Sequence, residues 1–470
     1  MSATAERMSR VDHAWLRMDN EVNLMMIVGV WLLQPRLSYA ALCRRIEQRL
    51  LQYPRFRQKV VEDVLGAHWV DDADFDIHHH VLRETLPRQR SRSQRAALQA
   101  RCGELATTPL DPARPLWQFH LVEHYEGGSA LLVRIHHCIG DGIALTSVVM
   151  SITDGGELPP QHAGERDAHA HEDWLAGTVI RPLTEMAVKA IDLSGEGVSL
   201  SMELAAHPQA HARELLRVGQ RVATDLAALA LMDNDSPTRL KGRPLGRKVV
   251  AWSEPVPLDT VKGVCRALGA SVNDVLLACA AGAIGDYLRE LGDDPSGKQI
   301  RAMVPVNLRP LDEAYKLGNR FGLAPLVLPI GIDNPVERVY AVRARMGTLK
   351  GSYQPVLAFG VLALAGLLNK GSQDALLNLF AKKATAVMTN VPGPSELLQL
   401  CGSTLRQSIF WVPQSGDVAV GVSIYSYGGG VQFALITDVA LCPEPQRIID
   451  RFAPELDKLV WLALMLPWAA

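Results

Sequence analysis

The residues best suited to chemistry lie in LLVRIHHCIGDG, residues 131–142, where His136 and His137 are adjacent and Asp141 follows between Gly140 and Gly142. Histidine has the side chain whose ordinary pKa lies nearest working pH, which makes it the commonest general base for an alcohol or amine. Adjacent residues of a strand point to opposite faces, so one of the two histidines faces a cavity and the other is packed. A carboxylate four residues on could orient an imidazole, bind a metal with it, or anchor the turn through an arginine elsewhere. The glycines favour the anchor: they point to a backbone bent into conformations other residues avoid, and they give a metal no third ligand. Arg309 is the candidate partner of Asp141. A strand ending in a core histidine beside an ordinary Asp-Gly turn would show part of this pattern, so the rest of the chain has to decide.

A second cluster opens the helix expected from Ser271 onward, in SVNDVLLACAAGAI. Asn273 and Asp274 fall in its first turn, where free N–H groups and polar side chains stabilise negative charge. Capping alone explains them equally well. The triplet His78, His79 and His80 cannot aim three ligands at one ion, and His162, His169 and His171 lie in a polar crossing segment, so no metal site is expected.

The elements that must position these residues follow from hydrophobic patterning. Residues 116–123 and 129–136 read as two strands joined through a Gly-Gly turn, a hairpin that delivers the histidines, and residues 143–152 read as a buried helix. Ahead of them come an apolar strand at 23–33, a helix at 39–51 capped by Ser38, short strands at 56–61 and 68–70, and an arginine-rich helix at 91–105. Composition shifts after Thr153 to a Gly-, Pro- and His-rich crossing, followed by helical patterns at 174–191 and 208–232. A second unit then opens with a strand at 248–253, a helix at 258–268 ended by Gly269, and strands at 302–306 and 323–330. Further strands at 386–390 and within 403–438, with Gly428-Gly429-Gly430 as a hairpin turn, precede a closing helix. The apolar run 356–368 reads as a buried helix whose Gly360, Ala363 and Gly366 either leave room for a long apolar ligand or allow close helix packing. It is too short to cross a bilayer, which takes about 20 residues.

A chain of 470 residues exceeds what one core usually supports. The expected division is 1–153, a linker with helical crossover at 154–245, and 246–470. The 48 basic residues against 50 acidic ones leave a net charge of −2, so no overall field points to nucleic acid. Seven cysteines without a CxxC spacing point to a reducing compartment. The N-terminus lacks the apolar core of a signal peptide, so a cytoplasmic location is expected.

Five separate stretches share one likeness. HHCIGDG at 136–142 fits the pattern HHxxxDG, which resembles the signature of CoA-dependent acyltransferases and of the condensation domains of peptide synthetases. Together with Pro115-Leu116-Trp117, NDVLLA at 273–278, MTNVPGP at 388–394 and the opening SRVDHAWLRMD, it resembles the bacterial wax ester synthase/diacylglycerol acyltransferase family over the full length. Met388-Thr389-Asn390 departs from that family's usual Met-Ser-Asn but keeps the hydroxyl.

The resemblance implies an α/β (α+β) architecture: two chloramphenicol acetyltransferase-like domains with mixed sheets, joined by a helical crossover and facing each other across a tunnel. It implies transfer of a fatty acyl group from acyl-CoA to a long-chain alcohol or diacylglycerol, without a covalent intermediate and with no cofactor, acyl-CoA being a substrate. His137 would then be the base and Asn273 the oxyanion donor, with His136 and Asp141 completing the catalytic group. Gly142, Trp117, Asp274 and Asn390 would meet substrate, and Arg309 and Gly140 would hold the structure. Cys138 occupies a variable position of the signature. Lys382 and Lys383 are candidates for the CoA phosphates. Greasy substrates and the C-terminal WLALMLPW imply peripheral contact with a membrane or lipid droplet. The rival readings are a related acyltransferase or condensation-type enzyme with another acceptor, a non-catalytic lipid-binding protein, and a metal hydrolase using His137 and Asp141.

Overall fold

The computed structural model describes residues 5–63, 66–87, 93–156, 224–225, 228–229, 231–309, 316–350 and 352–465. The helix read at 174–191, most of that at 208–232, and the three crossing-segment histidines lie outside these residues, as does the end of the C-terminal apolar run.

The first half runs β1 (Glu6–Arg7), α1 (Arg10–Arg17), β2 (Met26–Gln34), α2 (Tyr39–Arg49), β3 (Gln58–Asp63), β4 (Gly66–Asp71), β5 (Val81–Glu84) and α3 (Gln94–Leu105). The hairpin β6 (Trp117–Tyr125) and β7 (Gly128–His136) follows, then α4 (Gly142–Ser151). Its turn is Glu126-Gly127, both at positive φ, the geometry that matches the right-handed twist of paired strands. Gly128 must be glycine, because a Cβ there would sit 2.0 Å from the Leu33 carbonyl oxygen.

The second half contains β8 (Lys248–Trp252), β9 (Val256–Pro257), α5 (Leu258–Leu268), α6 (Val272–Glu290), β10 (Ile300–Asn307), β11 (Phe321–Leu328), α7 (Pro335–Lys350), α8 (Gln354–Ala365) and α9 (Lys370–Ala381). The strands β12 (Ala386–Pro392), β13 (Gln399–Leu400), β14 (Ser403–Trp411), β15 (Val420–Tyr427) and β16 (Gly430–Asp438) precede α10 (Gln446–Met465).

Among the described residues the strands form a six-stranded sheet ordered β13-β14-β2-β7-β6-β5, a seven-stranded sheet ordered β11-β10-β12-β15-β16-β8 with β9 beside β16, and a small sheet β1-β4-β3. Both large sheets are mixed: β5 runs parallel to β6, and β12 runs parallel to β10 and β15. Each has its own apolar cluster, one built on β2, β6 and β7 and the other on α6, β15 and β16. The strand pairing crosses the expected boundary at residue 246. β13 and β14 leave the second half and pair with β2, with Trp411 opposite Val28. β2 would otherwise be a long apolar edge strand, an invitation to aggregation, and β14 covers it.

The helix read at 356–368 is half-buried rather than buried. Phe359, Leu362 and Ala363 face inward while Leu364 and Leu367 are exposed. Its small residues do different things: Gly366 sits against α1, where a Cβ would come within 2.1 Å of the Arg10 carbonyl oxygen, whereas nothing crowds Gly360.

Candidate active site

One cavity of about 570 Å³ lies between the two large sheets, a size that suits a small-molecule site. Its wall is largely apolar. The first sheet gives it Gly29, Trp31, Val133 and Ile135; α4 gives Thr146 and Met150; α8 gives Val361 and Leu362; and β12 gives Thr389 and Val391.

Strand alternation decides which histidine reaches it. Val133, Ile135 and His137 point the same way and line the cavity. His136 points away and is buried. Its Nδ1 accepts from the Cys138 amide at 3.1 Å and its Nε2 lies 3.2 Å from Asp19 Oδ1, so it pins the turn to the loop before β2. Burial opposes charge on His136, but the Cys138 sulfur and the Asp19 carboxylate hold its pKa above the ordinary histidine value.

His137 is clamped by aromatic rings. Trp15 of α1 stacks on it at 4.2 Å and 14°, and Phe321 of β11 leans on it at 5.5 Å. Burial pushes its pKa down to about 4, Asp141 pulling the other way, so the imidazole is neutral at working pH and ready to accept a proton. Its Nδ1 lies 2.9 Å from Asn319 Oδ1. Asn319 Nδ2 in turn donates to Asp12 Oδ1 at 2.7 Å and to the His137 carbonyl at 2.7 Å.

Asp141 holds the turn. Its Oδ1 caps α4 by accepting from the Ala144 amide at 2.9 Å, its Oδ2 accepts from the Arg320 amide at 3.1 Å, and Arg309 Nη2 lies 3.2 Å from Oδ2. Gly140 bridges to Gly318. Neither Gly140 nor Gly142 has a positive φ, which corrects the expected reason for the glycines. A Cβ at Gly140 would make only ordinary contacts, 3.4 Å from the Gly318 amide, and Gly142 lines the cavity with open space where a side chain would stand.

Asn273 and Asn390 line the same cavity, and Asn390 Nδ2 donates to Asn273 Oδ1. That contact leaves the Asn273 amide NH2 as the group available to a ligand.

The model of the wax ester synthase/diacylglycerol acyltransferase catalytic domain matches residues 8–276, and the model of the C-terminal domain of the same family matches residues 317–460. The chain belongs to this family. A probable diacylglycerol O-acyltransferase of Mycobacterium tuberculosis is 27% identical over 434 residues, covering 91% of this chain and 89% of that protein. A second M. tuberculosis protein, a putative diacylglycerol O-acyltransferase, is 26% identical over 97% of this chain and 91% of its own length. Among solved structures, the wax ester synthase/diacylglycerol acyltransferase of Marinobacter aquaeolei superposes with a TM-score of 0.67 at 22% identity, covering 98% of this chain and 100% of that one. The first condensation domain of the calcium-dependent antibiotic synthetase shares the fold, at TM-score 0.57 and 15% identity over 99% and 97% of the two chains. The two-domain acetyltransferase-like architecture with mixed sheets is therefore that of the wax ester synthase/diacylglycerol acyltransferase family, and the chain is an acyltransferase.

Not every residue expected at the site of this family member is there. Trp117 is in the core: its indole donates to the Phe56 carbonyl at 2.9 Å, it stacks on His80, and it does not line the cavity. Its bulk and single donor suit a buried wedge. Asp274 closes a capping box with Ser271 and is buried away from the cavity. Lys383 is buried and donates to the Met232 carbonyl, whereas Lys382 is exposed. Neither spacing nor motif marks Asp12, Trp15, Asn319 or Phe321 as functional. One signal was present: Asp12 shares the buried face of α1 with Val11, Ala14 and Trp15, and a carboxylate among apolar residues on a helix needs a partner.

Proposed function

We propose that this protein transfers a fatty acyl group from acyl-CoA to the hydroxyl of a long-chain alcohol or diacylglycerol, giving a wax ester or triacylglycerol and free CoA, with His137 as the general base. The observation that carries this reading is an imidazole stacked on Trp15, flanked by Phe321 and lining an apolar cavity between two sheets. Such a cavity admits acyl chains and excludes most water, which strengthens the few polar contacts inside. His137 takes the proton from the acceptor hydroxyl as its oxygen attacks the thioester carbonyl. The Asn273 amide, held by Asn390, donates to the oxygen on which charge gathers. When the tetrahedral adduct collapses, the C–S bond breaks and the proton passes from His137 to the leaving thiolate. Proton transfer by such a positioned base contributes on the order of 10²–10⁴ in rate.

Membrane or lipid-droplet contact fits substrates of this polarity, and Trp461, Leu464 and Met465 at the end of α10 are exposed apolar residues available for it. No single helix among the described residues is long and apolar enough to cross a membrane.

The test is CoA release from palmitoyl-CoA with hexadecanol or a diacylglycerol as acceptor, with products identified by mass, alongside His137→Ala. Acceptor-dependent release that disappears in the folded variant is the expected result, and the better acceptor names the branch. A folded His137→Ala protein with undiminished turnover would overturn the assignment of the base, while acceptor-independent binding without release would turn the reading toward lipid binding.

A further inference from the structure

We infer that Asn319 and Asp12 are positioning residues for His137: together they fix which imidazole nitrogen carries the proton and stabilise the ring when it becomes charged. This inference rests on His137 being the base. Donors and acceptors around the Asn319 amide fix its orientation. Asp12 Oδ1 accepts from both the backbone N and the side-chain Nδ2 of Asn319, at 2.9 and 2.7 Å, and the His137 carbonyl accepts from the same Nδ2 at 2.7 Å. Two acceptors on one side settle which end of the amide is nitrogen. Its oxygen therefore faces His137 Nδ1 at 2.9 Å, and that nitrogen must be the N–H donor. The lone pair is left on Nε2, the nitrogen that must receive the hydroxyl proton. Once Nε2 is protonated, the positive ring is stabilised by the Asn319 oxygen, whose amide is polarised by the Asp12 carboxylate. This is the work done by the third member of a nucleophile–base–orienter triad, shared here between two side chains.

The placement rules out an incidental contact. Asp12 and Asn319 are 7% and 4% exposed, and a buried carboxylate is costly unless it is hydrogen-bonded. α1 delivers Asp12 and the stacking Trp15 three residues apart on one face, so a single helix grips the imidazole by its ring and by its proton. The other charged groups around His137 are already engaged: Asp141 with Arg309, and His136 with Asp19 on the far face of the strand.

Three variants test the inference, with kcat, KM for palmitoyl-CoA, melting temperature and the pH profile of kcat/KM measured for each. Asn319→Ala is expected to lower kcat by about 100-fold, with KM within about threefold. Asp12→Asn keeps an acceptor oxygen for Asn319 and removes only the charge, so it should fold normally and lose about tenfold in kcat. The double variant Asp12→Asn with Asn319→Asp places a carboxylate against Nδ1 but removes the donor to the His137 carbonyl, so kcat should stay below the wild-type value while the acidic limb moves upward by about one pH unit or more. Wild-type kcat and an unmoved limb in folded Asp12→Asn and double variants would overturn the inference, as would losses that follow only KM or melting temperature. Loss of activity in His137→Ala with none in these variants sinks this inference alone, and full activity in folded His137→Ala sinks the base assignment instead.

Discussion

Burial keeps His137 uncharged, and the consequence is measurable in two ways. With a pKa near 4 in the folded enzyme, its acidic limb in kcat/KM belongs well below the ordinary value of 6.5, leaving activity flat between about pH 6 and 8 if no other group intervenes. Stability carries the same signature. A histidine whose folded pKa is depressed binds its proton first in the unfolded chain, so its contribution is complete above pH 6.5 and is lost as pH falls from 6.5 toward 4. His137→Gln should therefore show a shallower acid loss than the native chain in urea midpoints measured across that window. Asn273 makes the other residue-level prediction. Removing one oxyanion donor costs about 3 kcal/mol of transition-state stabilisation, so Asn273→Ala should lower kcat by roughly 100-fold while the melting temperature shifts little, because the capping box is made by Ser271 and Asp274. Unchanged kcat in that variant would remove Asn273 from the mechanism.

Among the elements, α1 is a short helix with two tasks, and its seat against α8 is what aligns them. Gly366 at the end of α8 lies where any side chain would strike the Arg10 carbonyl, the nearest approach to a Cβ being 2.1 Å. Gly366→Val should displace α1 and with it Trp15 and Asp12. The expected outcome is a loss of about 1–3 kcal/mol in stability from overpacking and a fall in kcat larger than that loss alone explains. A destabilised variant with native kcat at low temperature would show that α1 docks independently of its neighbour. The hairpin β6–β7 is simpler, since alternation along β7 alone aims His137 at the cavity and His136 away from it.

At the scale of the molecule, the exchange of β13 and β14 binds the two halves into one unit. Trp411 of β14 packs on Trp252 of β8 at 5.8 Å, so a strand of the first sheet shares an aromatic pair with a strand of the second. Asp12, Asp141 and Arg309 add polar ties around residues 318–320. Unfolding should therefore be a single cooperative step despite the two apolar clusters, with tryptophan fluorescence and far-UV circular dichroism tracing the same urea transition. Two separated transitions would show that the halves unfold independently.

The sequence by itself determined what local pattern and spacing can carry. Patterning located the hairpin, alternation set its two histidines on opposite faces, the residue types at 136–142 offered a base beside a tight turn, and five separated motifs pointed to the family and through it to His137. Patterning also placed Asn273 and Asp274 in a helix's first turn but could not tell a capping residue from a ligand-facing one, because both tasks use the same residue types there, and the resemblance put both at the site. The tertiary structure separated them: one amide lines the cavity and the neighbouring carboxylate turns back to the cap. Only the tertiary structure, too, could bring Asn319 to His137 across 182 positions and Asp12 to Asn319 across 307. An asparagine or aspartate gains its role from what its few polar atoms meet in space, and the periodicities that reveal strands and helices hold no record of that.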